Sequence, residues 1–312
     1  MGLVLPMCEV LRAEPGGAAP TSQPARSAWN VRDHIPVDKF MLQAHRGAGE
    51  LAPENTIEAF ELGWKLGCIP EADVRTTSDG VIVAFHDNNF ARVVKDASPE
   101  LRKKGVKDLT WEELSKLDVG SWKGGEFVGR RVSRMRDVFA VMKGVPERRL
   151  YLDIKQVDLS ALAREVNEYG VASQVILATS KYEQIVEWNR LVPDAVTLLW
   201  MGGTEAEITR KFEALRRANF EGIRQLQIHA HLKDKPETIT RDSVDPFKLP
   251  DRFLIERGEE LRSRGILFQS LPFGGSSPEI YWKLLDLGLM SLATDHPEVT
   301  WKAIRDYYRM KP

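Results

Sequence analysis

Short apolar runs alternate with amphipathic segments along most of this chain of 312 residues. Runs of apolar residues bounded by turn-forming residues are typical of buried strands, and apolar positions that recur every three or four residues are typical of helices. The predicted strands are residues 41–44, 68–74, 81–85, 150–154, 174–178, 195–200, 222–228, 265–269 and 289–293. The predicted helices are residues 56–66, 159–169, 183–189, 205–218, 254–264 and 278–287. Such alternation favours an α/β protein with a parallel sheet covered by helices.

The number of alternations suits a TIM (β/α)8 barrel with a small insertion after the second strand region. An open, doubly wound sheet would need a glycine-rich phosphate loop after its first strand. Here Gly47-Ala48-Gly49 is followed by Glu50, not by a further glycine. The insertion is predicted at about residues 88–141, because this segment is too long for an ordinary loop.

The first 35 residues differ in character from the rest. Residues 14–27 are rich in Gly, Ala, Pro and Ser, which bury little apolar surface, so residues 1–35 are expected to be flexible and residues 36–312 to form the barrel domain. Residues 1–13 lack the basic start of a signal peptide, which leaves both a cytoplasmic and an exported location open. No run of eighteen apolar residues predicts a transmembrane helix.

Composition narrows the range of partners. The formal net charge is −1, with 44 Lys and Arg against 45 Asp and Glu, which gives no reason to expect a nucleic-acid partner. The two cysteines, Cys8 and Cys68, have no spacing that suggests a disulfide framework or a zinc site. The charge says nothing about the substrate, and the sequence makes no prediction of oligomeric state.

Chemically active residues stand at the ends of the predicted strands. Glu71 and Asp73 are two residues apart in one strand, so their side chains project from the same face. Paired carboxylates repel each other unless a cation compensates, and hard divalent cations prefer oxygen ligands. Barrel enzymes place their catalytic groups at the carboxyl ends of the strands, where these residues would converge with His45 and with Asp153. The pattern predicts a metal site at the barrel mouth.

An ordered series of short motifs carries a family resemblance. The motifs are His45-Arg46-Gly47, Pro53-Glu54-Asn55-Thr56 with Ala59-Phe60, Gly67, Glu71-x-Asp73-Val74, Thr77-x-Asp79-Gly80 and His86-Asp87. Together they resemble the glycerophosphodiester phosphodiesterase family. Weaker similarity continues to Asp153-x-Lys155, where the family usually has Glu-x-Lys, and to Thr294-Asp295-His296-Pro297, which resembles the closing T-D-x-P of the family.

The resemblance implies a metal-dependent phosphodiesterase that hydrolyses glycerophosphodiesters to a phosphomonoester, sn-glycerol 3-phosphate, and an alcohol. The partner would be a small glycerophosphodiester or a lipid head group. The implied catalytic residues are His45 and His86, the implied phosphate ligands are Arg46 and Lys155, and the implied ligands of one divalent cation, Mg²⁺ or Ca²⁺, are Glu71, Asp73 and Asp153. Imidazole titrates near neutral pH, so either histidine could be the acid or the base.

Two other functions remain open at this point. A neighbouring substrate hydroxyl could attack phosphorus, as in a phospholipase-D-like lyase that releases a cyclic phosphate. The barrel could also be catalytically silent and bind phosphate ligands, because Asp153 is shorter than the usual glutamate and because the aromatic W-T-x-N segment of the family is replaced by residues 268–275.

Several single residues also have two interpretations. Arg46 could bind phosphate or mainly pair with Glu54, and Asn55 could be a turn residue or a site residue. Trp111 and Trp122 could form the core of the insertion or contact substrate. Gln227, His229 and His231 follow a predicted strand but match no motif, whereas Trp200, Phe273 and Tyr281 could form an apolar wall for a head group.

Overall fold

The chain closes eight parallel strands into a barrel. The computed structural model describes residues 24–310. The strands in this part of the chain are β1 (Leu42–Ala44), β2 (Ile69–Thr76), β3 (Ile82–Ala84), β4 (Ser133–Arg134), β5 (Leu150–Gln156), β6 (Val175–Thr179), β7 (Val196–Met201), β8 (Gln225–His231), β9 (Leu267–Phe273) and β10 (Ser291–Thr294). β1 pairs with β2 on one side and with β10 on the other, which closes the ring β1-β2-β5-β6-β7-β8-β9-β10. The predicted TIM barrel is confirmed.

Helices cover the outside of the barrel. They are α1 (Ile57–Lys65), α3 (Met135–Met142), α4 (Leu159–Tyr169), α5 (Tyr182–Leu191), α6 (Glu205–Arg217), α7 (Asp251–Ser263), α8 (Pro278–Asp286) and α9 (Pro297–Arg309), and a single turn, α2 (Trp111–Leu114), lies apart from them. Side-chain caps start several of them: Thr56 accepts a hydrogen bond from the Ala59 amide, and Asp158 accepts one from the Ala161 amide. The main core lies between helices and strands, where Phe60, Trp188 and Phe212 are fully buried.

A smaller apolar cluster forms beside the barrel, after β2. β3 pairs antiparallel with β2, and β4 pairs antiparallel with β3, so they extend the sheet beyond the ring. The chain between them packs its own buried residues, among them Phe85, Phe90, Val106, Leu109, Leu114 and Val132. α3, at the carboxyl-terminal end of the predicted insertion 88–141, packs instead into the main core through Met135 and Phe139.

The predicted flexible segment 1–35 lies, up to residue 23, outside the described residues. In its described part, the amide of Ser27 donates to the carbonyl of Asp286 at 2.7 Å, and Val31 is fully buried in the main core. None of the helices in residues 24–310 has the combination of length and hydropathy needed to cross a membrane.

Candidate active site

A cavity of about 340 Å³ opens at the carboxyl end of the barrel strands. Six of the seven predicted site residues line it, namely His45, Arg46, Glu71, His86, Asp153 and Lys155. The seventh, Asp73, is fully buried beside them and lies 3.2 Å from the Lys155 ammonium. Residues far apart in sequence converge because each ends or follows a strand of the same parallel ring.

Three carboxylates form the acidic part of this cavity. β2 and β5 pair with Asp73 directly opposite Asp153, and Glu71 lies two residues earlier on β2. One oxygen from each of the three carboxylates lies within 4.8 Å of the others. The buried Oδ1 of Asp73 lies 3.2 Å from the Lys155 ammonium but accepts no hydrogen bond within residues 24–310. Converging carboxylate oxygens, one of them without a hydrogen-bond donor, fit a hard divalent cation.

The charges of this cluster are unevenly balanced. Burial, and then the charge of Asp73, raises the pKa of Glu71, and burial together with the other two carboxylates raises the pKa of Asp153. Burial opposes ionisation of Asp73 as well, but the charges of Lys155, His86 and Arg46 outweigh it and lower the pKa of Asp73. The charge of Lys155 alone therefore does not offset the repulsion among the three carboxylates, and a bound cation would offset the remainder.

Asn55 ties the loop after β1 to this cluster. Its backbone has a φ of 58°, a left-handed conformation that Asn tolerates better than most residues. Its side-chain amide donates to Asp73 Oδ2 at 2.7 Å, and its Oδ1 accepts from the Asp73 amide at 2.9 Å. Both interpretations of Asn55 therefore apply, because it is a turn residue whose side chain also holds a site carboxylate.

His45 lies among negative groups. Its Nδ1 donates to Asp295 Oδ1 at 2.7 Å, across 250 residues of sequence. Burial opposes protonation of the ring, but the carboxylates of Glu71 and Asp295 raise the pKa of His45 to about 9. His45 thus carries a proton at neutral pH, and its Nε2 is not engaged by Asp295.

His86 has a different set of partners. Its Nδ1 donates to Asp87 Oδ1 at 2.6 Å, and its Nε2 lies 2.9 Å from Nη2 of Arg46. A guanidinium group can only donate hydrogen bonds, so His86 Nε2 is the acceptor and presents its lone pair. His45 and His86 therefore differ at Nε2, because that of His86 accepts a hydrogen bond whereas the surroundings of His45 favour its protonated form.

Two arginines and two carboxylates fix the His86 side of the mouth. Arg46 donates from Nη1 to Glu54 at 3.1 Å, so the proposed pairing of these residues does occur, in addition to the contact with His86. Arg92 donates to both oxygens of Asp87 and to both oxygens of Glu54. Glu54, His86 and Asp87 also present oxygen and nitrogen atoms within 4.8 Å of one another, but these arginines already neutralise them.

An aromatic wall lines the cavity next to the carboxylates, and two of its rings, His229 and His231, match no motif in the sequence. Trp200 stacks on His229, with 5.0 Å between ring centroids, and Phe273 stacks on His231 at 4.9 Å. Trp200 Nε1 also donates to Asp153 Oδ1 at 2.9 Å. Tyr281 is not part of this wall, because it is fully buried and its hydroxyl donates to the Gly275 carbonyl.

A chain of buried amides connects this wall to the carboxylates. His229 Nε2 donates to Gln227 Oε1 at 2.9 Å, Gln227 Nε2 donates to Gln43 Oε1 at 3.2 Å, and Gln43 Nε2 donates to Glu71 Oε2 at 2.9 Å. Burial and then the neighbouring positive charges lower the pKa of His229 to about 3, so this ring is neutral. The alternation Gln225-x-Gln227-x-His229-x-His231 is the period-two signal that could have revealed these inward positions.

Fold and site together define a TIM-barrel enzyme with the functional groups for phosphate-ester chemistry: paired histidines, a carboxylate triad, an arginine and a lysine. Residues 45–219 match the model of the glycerophosphoryl diester phosphodiesterase family. The chain belongs to this family and is a phosphoric diester hydrolase.

Individual relatives extend this match. The Bacillus subtilis (strain 168) protein YhdW is 31% identical over 198 residues, which cover 61% of this chain and 74% of that protein. A glycerophosphodiester phosphodiesterase of the same bacterium is 23% identical over 301 residues, 90% of this chain and 92% of its own length. The structure of an Oleispira antarctica phosphodiesterase in complex with the product sn-glycerol-3-phosphate has a TM-score of 0.62 and 21% identity, and the match covers 88% of this chain and 99% of that one. At 21% identity, the similarity to the Oleispira antarctica structure shows a shared fold.

Proposed function

We propose that this chain hydrolyses glycerophosphodiesters to sn-glycerol 3-phosphate and an alcohol, with His45 as general acid and His86 as general base. Both rings donate from Nδ1 to a carboxylate, and the observation that carries the proposal is the difference at Nε2: Arg46 donates to that of His86, whereas nearby carboxylates favour a proton on that of His45. A diester hydrolysis needs both roles at once, since water loses a proton while the departing alcohol gains one.

The proposed reaction starts with the phosphate between the two imidazoles. Arg46 turns its guanidinium from His86 to the phosphoryl oxygens, for which its planar donor fork is suited, and Lys155 adds a second positive charge. The freed Nε2 of His86 accepts a proton from the attacking water as its oxygen bonds to phosphorus. The bond between phosphorus and the alcohol oxygen breaks, and that oxygen takes the proton from His45 Nε2. Exchange with solvent then restores both histidines.

Glu71, Asp73 and Asp153 would hold one divalent cation, Mg²⁺ or Ca²⁺. When bound, this cation would neutralise charge that develops on the phosphoryl oxygens. Trp200 and Lys155 bond to opposite oxygens of Asp153, so this short carboxylate is held in place by its neighbours. Outer contacts of this kind orient metal ligands and tune their affinity.

Phosphorus NMR of the purified protein with glycerophosphocholine and with bis(glycero)phosphate, in Mg²⁺, Ca²⁺ or chelator, tests the proposal. We expect a phosphomonoester signal only with metal, and its loss in the Glu71→Gln, Asp73→Asn double variant. A cyclic phosphate as the sole product would show that a substrate hydroxyl attacks instead of water. No product under any condition would favour a silent, phosphate-binding barrel and overturn the proposal.

A further inference from the structure

A second cavity, of about 360 Å³, adjoins the first at the barrel mouth. The two cavities share His45, Arg46 and Phe273. The loop after β1, Asp295 and residues Trp122 and Lys123 from the region between β3 and β4 form the rest of the second cavity. Each cavity has a volume at the lower end of the range usual for small-molecule sites.

The shared residues determine how a diester can lie across both cavities. A phosphodiester carries two organic arms that diverge from phosphorus, and the phosphate ligand Arg46 stands where the cavities meet. Glu71, Asp153, Lys155 and His86 line the first cavity, whereas His45 borders both. The departing alcohol has to lie next to the general acid, and the attacking water has to approach from the side of the general base.

We propose that the second cavity binds the departing alcohol arm of the diester and that Lys123 makes it favour alcohols without a positive charge, such as glycerol, over a quaternary ammonium alcohol such as choline. This assignment rests on the proposed function, in particular on His45 as the acid. The glycerol 3-phosphate that remains after cleavage then lies in the first cavity, between the carboxylates and the aromatic wall.

The loop that presents Lys123 is firmly held. Asp118 accepts hydrogen bonds from the amides of Gly120 and Ser121, each at 2.9 Å, and from the amide of Gly129 at 2.6 Å. The indole nitrogen of Trp122 donates to the Val119 carbonyl at 2.9 Å. These bonds fix the position from which Trp122 and Lys123 face the cavity.

The charges around the second cavity determine its preference. Glu54 bonds to Arg46 and Arg92, and Asp295 bonds to His45, so both of these carboxylates are already compensated. Glu50 stands at the rim with 70% of its side chain exposed, where water screens its charge. Lys123 forms no salt bridge to any residue in the described part of the chain. Among the side chains that line this cavity, the half-buried Lys123 thus carries the uncompensated charge.

The aromatic side chains Trp122 and Phe273 of this cavity do not favour a cationic alcohol either, and one face of Phe273 is already stacked on His231. A quaternary ammonium group is usually bound against the faces of aromatic rings. The Arg92 guanidinium lies 5.2 Å from the centroid of the Trp122 ring, and the Lys123 ammonium lies 5.5 Å from it. Trp122 is therefore already engaged by two cations, and a third would be repelled.

The test compares two diesters that share the glycerol phosphate half and differ in the alcohol: glycerophosphocholine and bis(glycero)phosphate. In the Lys123→Glu variant, the choline to glycerol ratio of kcat/KM should rise about three- to tenfold, because an attraction replaces a repulsion at a partly hydrated site. Lys123→Gln should give an intermediate ratio. Lys107→Glu, an exposed lysine of the same region with the same change of charge, should leave the ratio unchanged.

Two further measurements distinguish the ways in which this can fail. The inhibition constant of sn-glycerol 3-phosphate should be the same in wild type and Lys123→Glu, since the monoester leaves the second cavity empty. A change of this constant along with the choline to glycerol ratio would overturn the assignment of the arms.

Calorimetric binding of both diesters to His86→Ala and to the double variant His86→Ala, Lys123→Glu gives the preference without turnover. An inactive wild type overturns the proposed function, whereas a binding ratio unmoved by Lys123→Glu overturns the role of the second cavity.

Discussion

The two sides of the barrel mouth hold the same side chain, histidine, with different partners. On the β1 and β10 side, His45 contacts Asp295 and lies near Glu71, and both carboxylates favour its protonated form. On the β3 side, Arg46 donates to His86 Nε2 and thereby favours the form in which that nitrogen carries no proton. In the proposed mechanism, the groups around each ring, more than the residue type, decide which histidine is the acid and which is the base.

The largest expected effect comes from removing either histidine. We expect His86→Ala and His45→Ala each to reduce kcat on bis(glycero)phosphate by about 10² to 10⁴, the usual contribution of a general acid or base. Steady-state kinetics on freshly purified protein measures this. His34→Ala, at an exposed histidine on the amino-terminal segment, is the matched control and should retain full turnover. Full turnover in both site variants would remove the acid and base assignment.

Replacing Arg46 by Lys tests the partner that distinguishes the His86 side. Lysine keeps the charge but cannot donate to Glu54 and to a phosphoryl oxygen with one planar group. We expect kcat/KM to fall by about 10²-fold, as when one fixed donor to a developing charge is lost. Arg131→Lys, at an exposed arginine of the β3 to β4 region, should have no effect on kcat/KM. An equally active Arg46→Lys variant would mean that charge alone suffices.

Asp87→Asn should lower activity at every pH. Arg92 donates to both oxygens of Asp87, so it would orient the single oxygen of Asn toward itself and turn the amide nitrogen to His86. His86 Nδ1 would then accept, Nε2 would carry the proton, and the base would be lost. We expect about a 10²-fold lower plateau of kcat/KM, with unchanged limbs of the pH profile. A shifted limb with a normal plateau would contradict this.

Asp295→Asn should move a limb of the pH profile instead of the plateau. His45 acts in its protonated form, so kcat/KM should be maintained below its pKa, about 9 in the protein without metal, and should fall as pH rises through that value. A cation on Glu71 would cancel part of that carboxylate's contribution, so the limb lies at lower pH with metal. Removing the Asp295 carboxylate should shift the alkaline limb further toward neutral pH. An unmoved limb would show that Asp295 does not control the proton of His45.

The smallest effect is expected for Arg92→Gln. This arginine supports Asp87 and Glu54, and its side chain is 40% exposed, so solvent weakens its contribution. We expect about a three- to tenfold loss of kcat with little change of KM. Arg92→Lys should restore part of the loss, whereas a purely structural role would lower the melting temperature without this rescue.

Much of the site could be predicted because its residues lie at strand ends. The i and i+2 spacing of Glu71 and Asp73 put both carboxylates on one face, and the structure pairs Asp73 with Asp153 across β2 and β5. Contacts such as that of His45 with Asp295, 250 residues later, depend on closure of the barrel, so local pattern could not reveal them.

The helix α9 was missed as well, although Pro297 at its start is a usual sign of a helix amino terminus.

The two histidines of the aromatic wall were missed because one strand was predicted about three residues too early. The predicted strand 222–228 corresponds to β8, Gln225–His231. The turn after α6 takes up the difference, with positive φ at Asn219, Phe220 and Gly222. His229 and His231 therefore lie within the strand and face the cavity instead of following it. Gln225 and Gln227 of this strand lie in the barrel interior, where they belong to a layer of hydrogen-bonded polar side chains.

The most direct test of His45 as acid and His86 as base compares His45→Ala and His86→Ala on two diesters of glycerol 3-phosphate. One diester has glycerol and the other has 4-nitrophenol as the departing alcohol. Nitrophenolate leaves without a proton, so it does not need the acid. We predict that His45→Ala is strongly impaired on the glycerol diester but close to wild type on the nitrophenyl diester, whereas His86→Ala is impaired on both. Equal losses for both variants on both substrates, or rescue of His86→Ala alone, would contradict it.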